Sequence, residues 1–260
     1  MNNAKSIFFA SDFHLGTPTK SKSENREKLI LEWFEQIRDR ASHIYLVGDI
    51  FDFWHDYKHV VPKGFVRFQA KIKELVDSGI EIHFFTGNHD LWMFGYFEEE
   101  LGVKLHKKPI QISHQNKKLY VGHGDGLGPG DHGYKFIKKI FTNKICQFLF
   151  RWFHPDLGVP LATYLSRSSR ESESEEELMY LGEEKEWLVI YSKEILKNKH
   201  YDYFVFGHRH VPIKLQLNNS VYINLGDWIS NFTFGELTNG VFELKKYQKG
   251  GIATSLDFVV

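Results

Sequence analysis

The feature that most constrains this chain is a repeated ending. Short apolar segments stop at Gly or Ser and hand over at once to residues able to bind metals or move protons. The sharpest case runs from Ile82 through Thr86 into Gly87-Asn88-His89-Asp90. A buried strand that delivers a polar cluster from its C-terminal end reads this way, and open α/β sheets bind their ligands at that end. One such ending is equally well a Gly-Asn turn before a helix. The recurrence is not. Residues 5–11 run into Asp12-Phe13-His14, where period-two alternation puts Asp12 and His14 on one side of an extended chain. Residues 43–47 end in Gly48-Asp49, residues 117–121 in Gly122-His123, and residues 203–206 in Gly207-His208-Arg209-His210. A lone histidine is more often structural than a ligand, but five strand ends of this kind are not explained that way.

Helical periodicity fills the intervals. Leu29, Ile30, Trp33, Phe34 and Ile37 recur at three- and four-residue spacing within residues 23–40, and Phe65, Phe68, Ile72, Leu75 and Val76 do so within 62–77. Residues 92–101 are expected to form a short helix. Short strands are expected at 103–106, 109–113 and 117–121, and again at 213–217, 221–225 and 240–244. The 260 residues fit one large domain with an insertion: residues 1–130 and 200–260 as the core, 131–199 as a helical cap. Formal net charge is +0, which argues against a nucleic-acid partner. A single cysteine, Cys146, excludes a thiolate zinc cluster and a disulfide within the chain. There is no 18-residue apolar run and no signal-like start, so a cytoplasmic location is expected.

The ligand-type residues are Asp12, His14, Asp49, Asn88, His123, His208 and His210, with His89 held back. Oxygen and imidazole donors without sulfur suit Mn, Fe, Zn or Co. Seven are too many for one tetrahedral zinc but suit two ions sharing a carboxylate, about 3.5–4 Å apart, as in two-metal phosphoryl hydrolysis. Hydrolysis of a phosphate ester or anhydride is the expected reaction.

The order D-x-H, G-D, G-N-H-D, G-H, G-H-x-H, spanning Asp12 to His210, resembles the calcineurin-like metallophosphoesterase superfamily. The resemblance implies an α+β fold, a four-layer αββα sandwich carrying the cap. It implies two divalent ions, manganese first, with iron or zinc as alternatives. Asp12, His14, Asp49 and His210 would hold one; Asp49, Asn88, His123 and His208 the other. His89 would contact the phosphate and protonate the leaving group, with Asp90 orienting it. The block Gly122-His123-Gly124-Asp125-Gly126-Leu127, then Asp131-His132-Gly133-Tyr134-Lys135-Phe136, is similar to the UDP-2,3-diacylglucosamine pyrophosphatases of lipid A synthesis. That likeness implies a nucleotide-linked lipid substrate, cleaved by metal-activated water and contacted by Asp131, Tyr134, Arg167, Ser169 and Arg170. One departure stands out. The better-known members carry Arg after the Asn, and His89 lacks a guanidinium's bidentate grip. A soluble phosphodiesterase or phosphomonoesterase acting on another small substrate is the alternative.

Within the cap, Tyr134, Ile137, Phe141, Ile145, Phe148 and Trp152 form one helical stripe, with Phe136, Ile140 and Phe150 on the other side. Lys135, Lys138, Lys139, Lys144 and Arg151 lie among them, the composition of a membrane-surface segment. Peripheral contact with the cytoplasmic face of the inner membrane is expected; a hairpin packing only on itself is the alternative.

Overall fold

A computed structural model describes residues 5–130, 132–171, 179–251 and 254–256. In chain order the elements are β1 (Ser6–Ala10), α1 (Lys20–Ile37), β2 (Ala41–Val47), α2 (Val66–Asp77), β3 (Glu81–Phe85), β4 (Lys104–His106), β5 (Ile110–His114) and β6 (Lys117–Gly122). The insertion contributes α3 (His132–Phe141), α4 (Lys144–Trp152) and α5 (Pro155–Glu171). Then come α6 (Trp187–Leu196), β7 (Tyr203–Phe206), β8 (Pro212–Leu217), β9 (Ser220–Leu225), β10 (Thr233–Thr238), β11 (Val241–Lys246) and β12 (Thr254–Ser255).

Two sheets form, in the orders β12-β11-β10-β1-β2-β3-β4 and β5-β6-β7-β9-β8. Strands β1 to β4 run parallel, as do β6, β7 and β9. Alternation sorts their apolar side chains into layers. Phe8, Ala10, Ile44, Leu46, Ile82 and Phe84 meet Trp33, Phe34, Phe68 and Ile72 of α1 and α2 on one face. The intervening Ile7, Phe9, Tyr45, Val47 and Phe85 meet Leu119, Val121, Val205, Ile223 and Leu225 of the second sheet. Phe204, Phe206 and Tyr222 of that sheet then bury Leu188 and Val189 of α6. Three apolar seams between helix, sheet, sheet and helix make the αββα sandwich, and they account for much of the phenylalanine content.

The last seam bears on the insertion. Helix α6 lies inside the expected 131–199 cap but packs as an outer layer of the sandwich, so we draw the insertion as ending before it. The apolar stripe of the cap is not one helix. Asn143 interrupts it and caps α4, accepting from Ile145 N and Cys146 N. The helix expected over 92–101 is reduced to a π-helical turn, Phe97–Leu101, because Asp56 Oδ2 takes the N–H groups of Phe94, Gly95 and Tyr96. Strand β10 was not expected, since Gly235 and Glu236 break its apolar pattern. A Cβ on Gly235 would collide with the Phe242 ring, and buried Glu236 is matched by Arg40 and Lys245.

Candidate metal centre

The parallel strands end on the same edge, and seven of the expected residues meet there. His14 Nε2 faces His210 Nε2 at 3.1 Å. Asp12 Oδ1 lies 3.2 Å from His210 Nε2 and 3.7 Å from His14 Nε2. Asp49 Oδ2 stands between the two halves, 3.8 Å from His14 Nε2 and 3.3 Å from His123 Nε2. Asn88 Oδ1 is 3.2 Å from His123 Nε2, and His208 shares a donor cluster with Asp49 and His123. A second cluster joins Asp12, His14 and His210, and a third joins His14, Asp49 and His89.

Several donors are already oriented. His123 Nδ1 lies 2.8 Å from the Val47 carbonyl. That oxygen can only accept, so the ring donates from Nδ1 and turns Nε2 toward Asp49. Asp49 Oδ1 accepts from His89 N at 2.9 Å, which leaves Oδ2 facing the rings. Asp12 Oδ2 accepts from Ser11 Oγ and His208 N, while Asp12 Oδ1 is buried and accepts no hydrogen bond. Burial works against ionising Asp12 and Asp49, yet nearby rings hold both carboxyls well below their usual range, His210 foremost for Asp12 and His123 for Asp49. Burial also disfavours charge on His123, but Asp49 beside it raises that ring to about 10. A dry cluster that draws positive charge this strongly, with one carboxylate oxygen unmatched and donors of oxygen and nitrogen only, fits divalent cations.

Asp90 does something other than orient His89. Its carboxylate accepts from Gly87 N at 2.7 Å, Ile50 N at 2.8 Å and Phe51 N at 3.3 Å. Both oxygens are thus committed to backbone, and Asp90 ties the β3 end to the β2 end. Asp52 and Ser166, to which the sequence assigned no individual role, are the side chains near His89 Nδ1, with Asp52 Oδ1 at 3.8 Å and Ser166 Oγ at 2.5 Å. A second acid three residues after Asp49 was a readable signal for the first; the second opens the hydroxyl- and arginine-rich stretch 166–170, whose composition suits the neighbourhood of a diphosphate. Tyr134 donates its hydroxyl to Asp125, which also receives Lys138. Arg167, Ser169 and Arg170 fall in α5, and Asp131 lies outside the described residues. Asp227 caps the loop after β9 through Ile229, Ser230 and Asn231 N, and Trp228 is buried in the core.

A two-sheet sandwich with paired carboxylates and imidazoles at its strand ends defines a metallophosphoesterase. The family model for calcineurin-like phosphoesterases matches residues 5–212, and the chain belongs to that family as a metal-dependent phosphoric ester hydrolase. It is 36% identical over 236 residues to a UDP-2,3-diacylglucosamine hydrolase of Porphyromonas gingivalis, covering 86% of this chain and 90% of that one. A protein of the same name from Yersinia pseudotuberculosis is 24% identical over 230 residues, covering 86% and 91%. The solved structure of YfcE, a phosphoesterase from E. coli, aligns with a TM-score of 0.49 at 17% identity, covering 96% of this chain and 98% of that one.

Proposed function

We propose that this enzyme hydrolyses UDP-2,3-diacylglucosamine at its pyrophosphate, giving UMP and 2,3-diacylglucosamine 1-phosphate. The observation that carries the reading is the surface beside the centre. Helices α3 to α5 leave large apolar side chains outside, Trp152 77% and Ile145 68% exposed among them, with Phe136, Phe148 and Leu149. The same insertion places Ser166 against His89. An apolar insertion touching a phosphoester centre suits a substrate that joins acyl chains to a diphosphate. The relatives named for that activity support the same assignment.

In this reading Asp12, His14, Asp49 and His210 hold one ion, Asp49, Asn88, His123 and His208 the other, and manganese is the first candidate. Bound there, the ions would polarise phosphoryl oxygens and acidify a water molecule. His89 presents Nε2, 4.0 Å from Asp49 Oδ2, and hands a proton to the departing phosphate oxygen. Asp131, Tyr134, Arg167, Ser169 and Arg170 contact the substrate, the guanidinium groups suiting its diphosphate. No helix of the described residues is long and apolar enough to cross a membrane. The exposed face of the insertion, interleaved with Lys139, Lys144 and Arg151, would instead rest on anionic lipid at the cytoplasmic face of the inner membrane.

Turnover of UDP-2,3-diacylglucosamine, unacylated UDP-sugars and bis-p-nitrophenyl phosphate tests this. The acylated substrate should be preferred by orders of magnitude. Preference for the model phosphodiester, with no effect of acyl chains, would establish the soluble phosphodiesterase instead.

A further inference from the structure

His89 is held at both ends. Its backbone N–H donates to Asp49 Oδ1 at 2.9 Å, and the His14 ring stands edge-on with centroids 4.8 Å apart. Ring nitrogen Nδ1 meets a residue from a distant part of the chain: Ser166 Oγ of α5, 2.5 Å away. That hydroxyl also lies 2.8 Å from the Asp52 carbonyl oxygen and 3.4 Å from Asp52 Oδ1. A serine hydroxyl has one hydrogen, and a carbonyl oxygen can only accept. The hydrogen therefore goes to Asp52, and the oxygen's lone pair receives Nδ1–H from His89.

We infer that Ser166 is a positioning residue that accepts the Nδ1–H of His89 and so aims Nε2 at the reacting phosphate, and that the insertion thereby completes the centre as well as flanking it. The role of Ser166 rests on the assignment of His89 as proton donor. The hydroxyl matters because Asp52 Oδ1, at 3.8 Å from Nδ1, is too far to take the hydrogen bond over. Without Ser166 the ring is free to flip, which exchanges the places of its two nitrogens. Ser166 Oγ also receives nothing else from the insertion among the described residues, so the contact links α5 to the β2 and β3 ends directly.

The test uses the whole zinc-loaded chain, labelled with ¹⁵N-histidine and assigned by comparison with His89→Gln. The wild type should show His89 Nδ1 protonated and hydrogen-bonded, and Ser166→Ala should shift that signal. Alanine is the better helix former, so the variant keeps α5. Turnover in Ser166→Ala should fall about 10- to 100-fold, the range for residues that orient a functional side chain from behind, with KM unchanged. Ser166→Thr should restore it, and Ser166→Ala should add no further loss in a His89→Ala background. Unchanged nitrogen signals in Ser166→Ala, or an equal loss in the His89→Ala background, would overturn the inference. If the lipid substrate is not turned over at all, the substrate assignment fails while the nitrogen signals still decide the role of Ser166.

Discussion

Gly87→Ala adds one methyl group at a crowded point of the centre. Gly87 is needed for space, since a Cβ there would stand 2.7 Å from both Asp49 Cγ and Asp49 N, and nearer still to Oδ1. Unstrained carbon contacts begin at about 3.5 Å, so Asp49 or the β3 end must retreat by roughly 0.8 Å. Rotating the Asp49 side chain does not relieve the contact with its backbone nitrogen. Displacing a catalytic group by about 1 Å costs on the order of 100-fold in rate, and overfilling a packed site costs about 1–3 kcal/mol. At about 2–4 °C per kcal/mol for a chain approaching this size, the melting temperature should fall by roughly 2–12 °C. Metal content by mass spectrometry, thermal melting and turnover should move together, with occupancy lost because Asp49 faces both halves of the cluster. Gly133→Ala, where a Cβ meets nothing within 4 Å and Ala is the better helix former, should lower none of the three. Gly87→Ala with full metal content and turnover within about threefold of wild type would refute the close-approach account.

Asp49→Ala should empty at least one metal position and abolish turnover; full occupancy by mass spectrometry would reject a bridging role. Trp152→Glu should weaken binding to anionic vesicles and hydrolysis of the acylated substrate, yet leave turnover of a water-soluble phosphodiester and the melting temperature unchanged. Burial lowers the pKa of His43, His83, His106 and His114 between the sheets, His83 to about 4. The unfolded chain therefore binds more protons than the folded one between about pH 4 and 6.5, and stability should be lost as pH falls through that window. His83 alone contributes about 3 kcal/mol of that loss, and His83→Phe should flatten the decline in melts taken from pH 7 to pH 5. Arg209, buried between two expected ligands, makes a two-pronged pair with buried Glu186 at 3.0 Å. Arg209→Ala should cost about 3–5 kcal/mol in urea denaturation, with Arg209→Met/Glu186→Leu recovering much of it.

The cluster of candidate ligands was legible because chemistry left a local mark: an apolar run, a glycine, then an imidazole or carboxylate. The layers were legible for a similar reason, since Phe8 and Phe9 in adjacent positions can only serve opposite faces of a strand. What escaped depends on contacts between distant segments. Asp90 looks like a partner for its neighbour His89, but Gly87, Ile50 and Phe51 N–H groups claim it. Ser166 is one hydroxyl in a serine-rich helix until the fold sets it against His89. Strand β10 hid behind Gly235, although Asn239-Gly240 after it was a readable hairpin signal. Those two residues take φ of 52° and 79°, the left-handed pair that a two-residue turn requires.

The same backbone region explains how strand ends converge on the candidate metal site. Asp12, His14, Asp49, His208 and His210 all have positive φ, from 43° to 69°. Each such residue costs of order 1–3 kcal/mol and persists only where its surroundings over-determine it. Here they do. Asp12 N donates to Gly48 O, His14 N to Asp49 O, Gly207 N to His123 O and Trp228 N to Asp12 O, and Arg26 reaches the His14 carbonyl. The backbone of each strand end is thus tied to the next before any side chain is considered. Asp, Asn and His are the non-glycine residues that tolerate this conformation best, and they are also the oxygen and nitrogen donors that divalent ions prefer. One residue type therefore meets both demands at each position. A left-handed turn sends the chain back over the sheet edge and leaves the donor inside. The glycine before Asp49, Asn88 and His208 removes the Cβ that would keep neighbouring ends apart. Replacing one of these residues with Ala would accordingly remove a candidate donor and also place an unsuited residue in strained backbone. Its loss of stability should then exceed that of Asn at the same position, a comparison that Asp12→Ala and Asp12→Asn make directly.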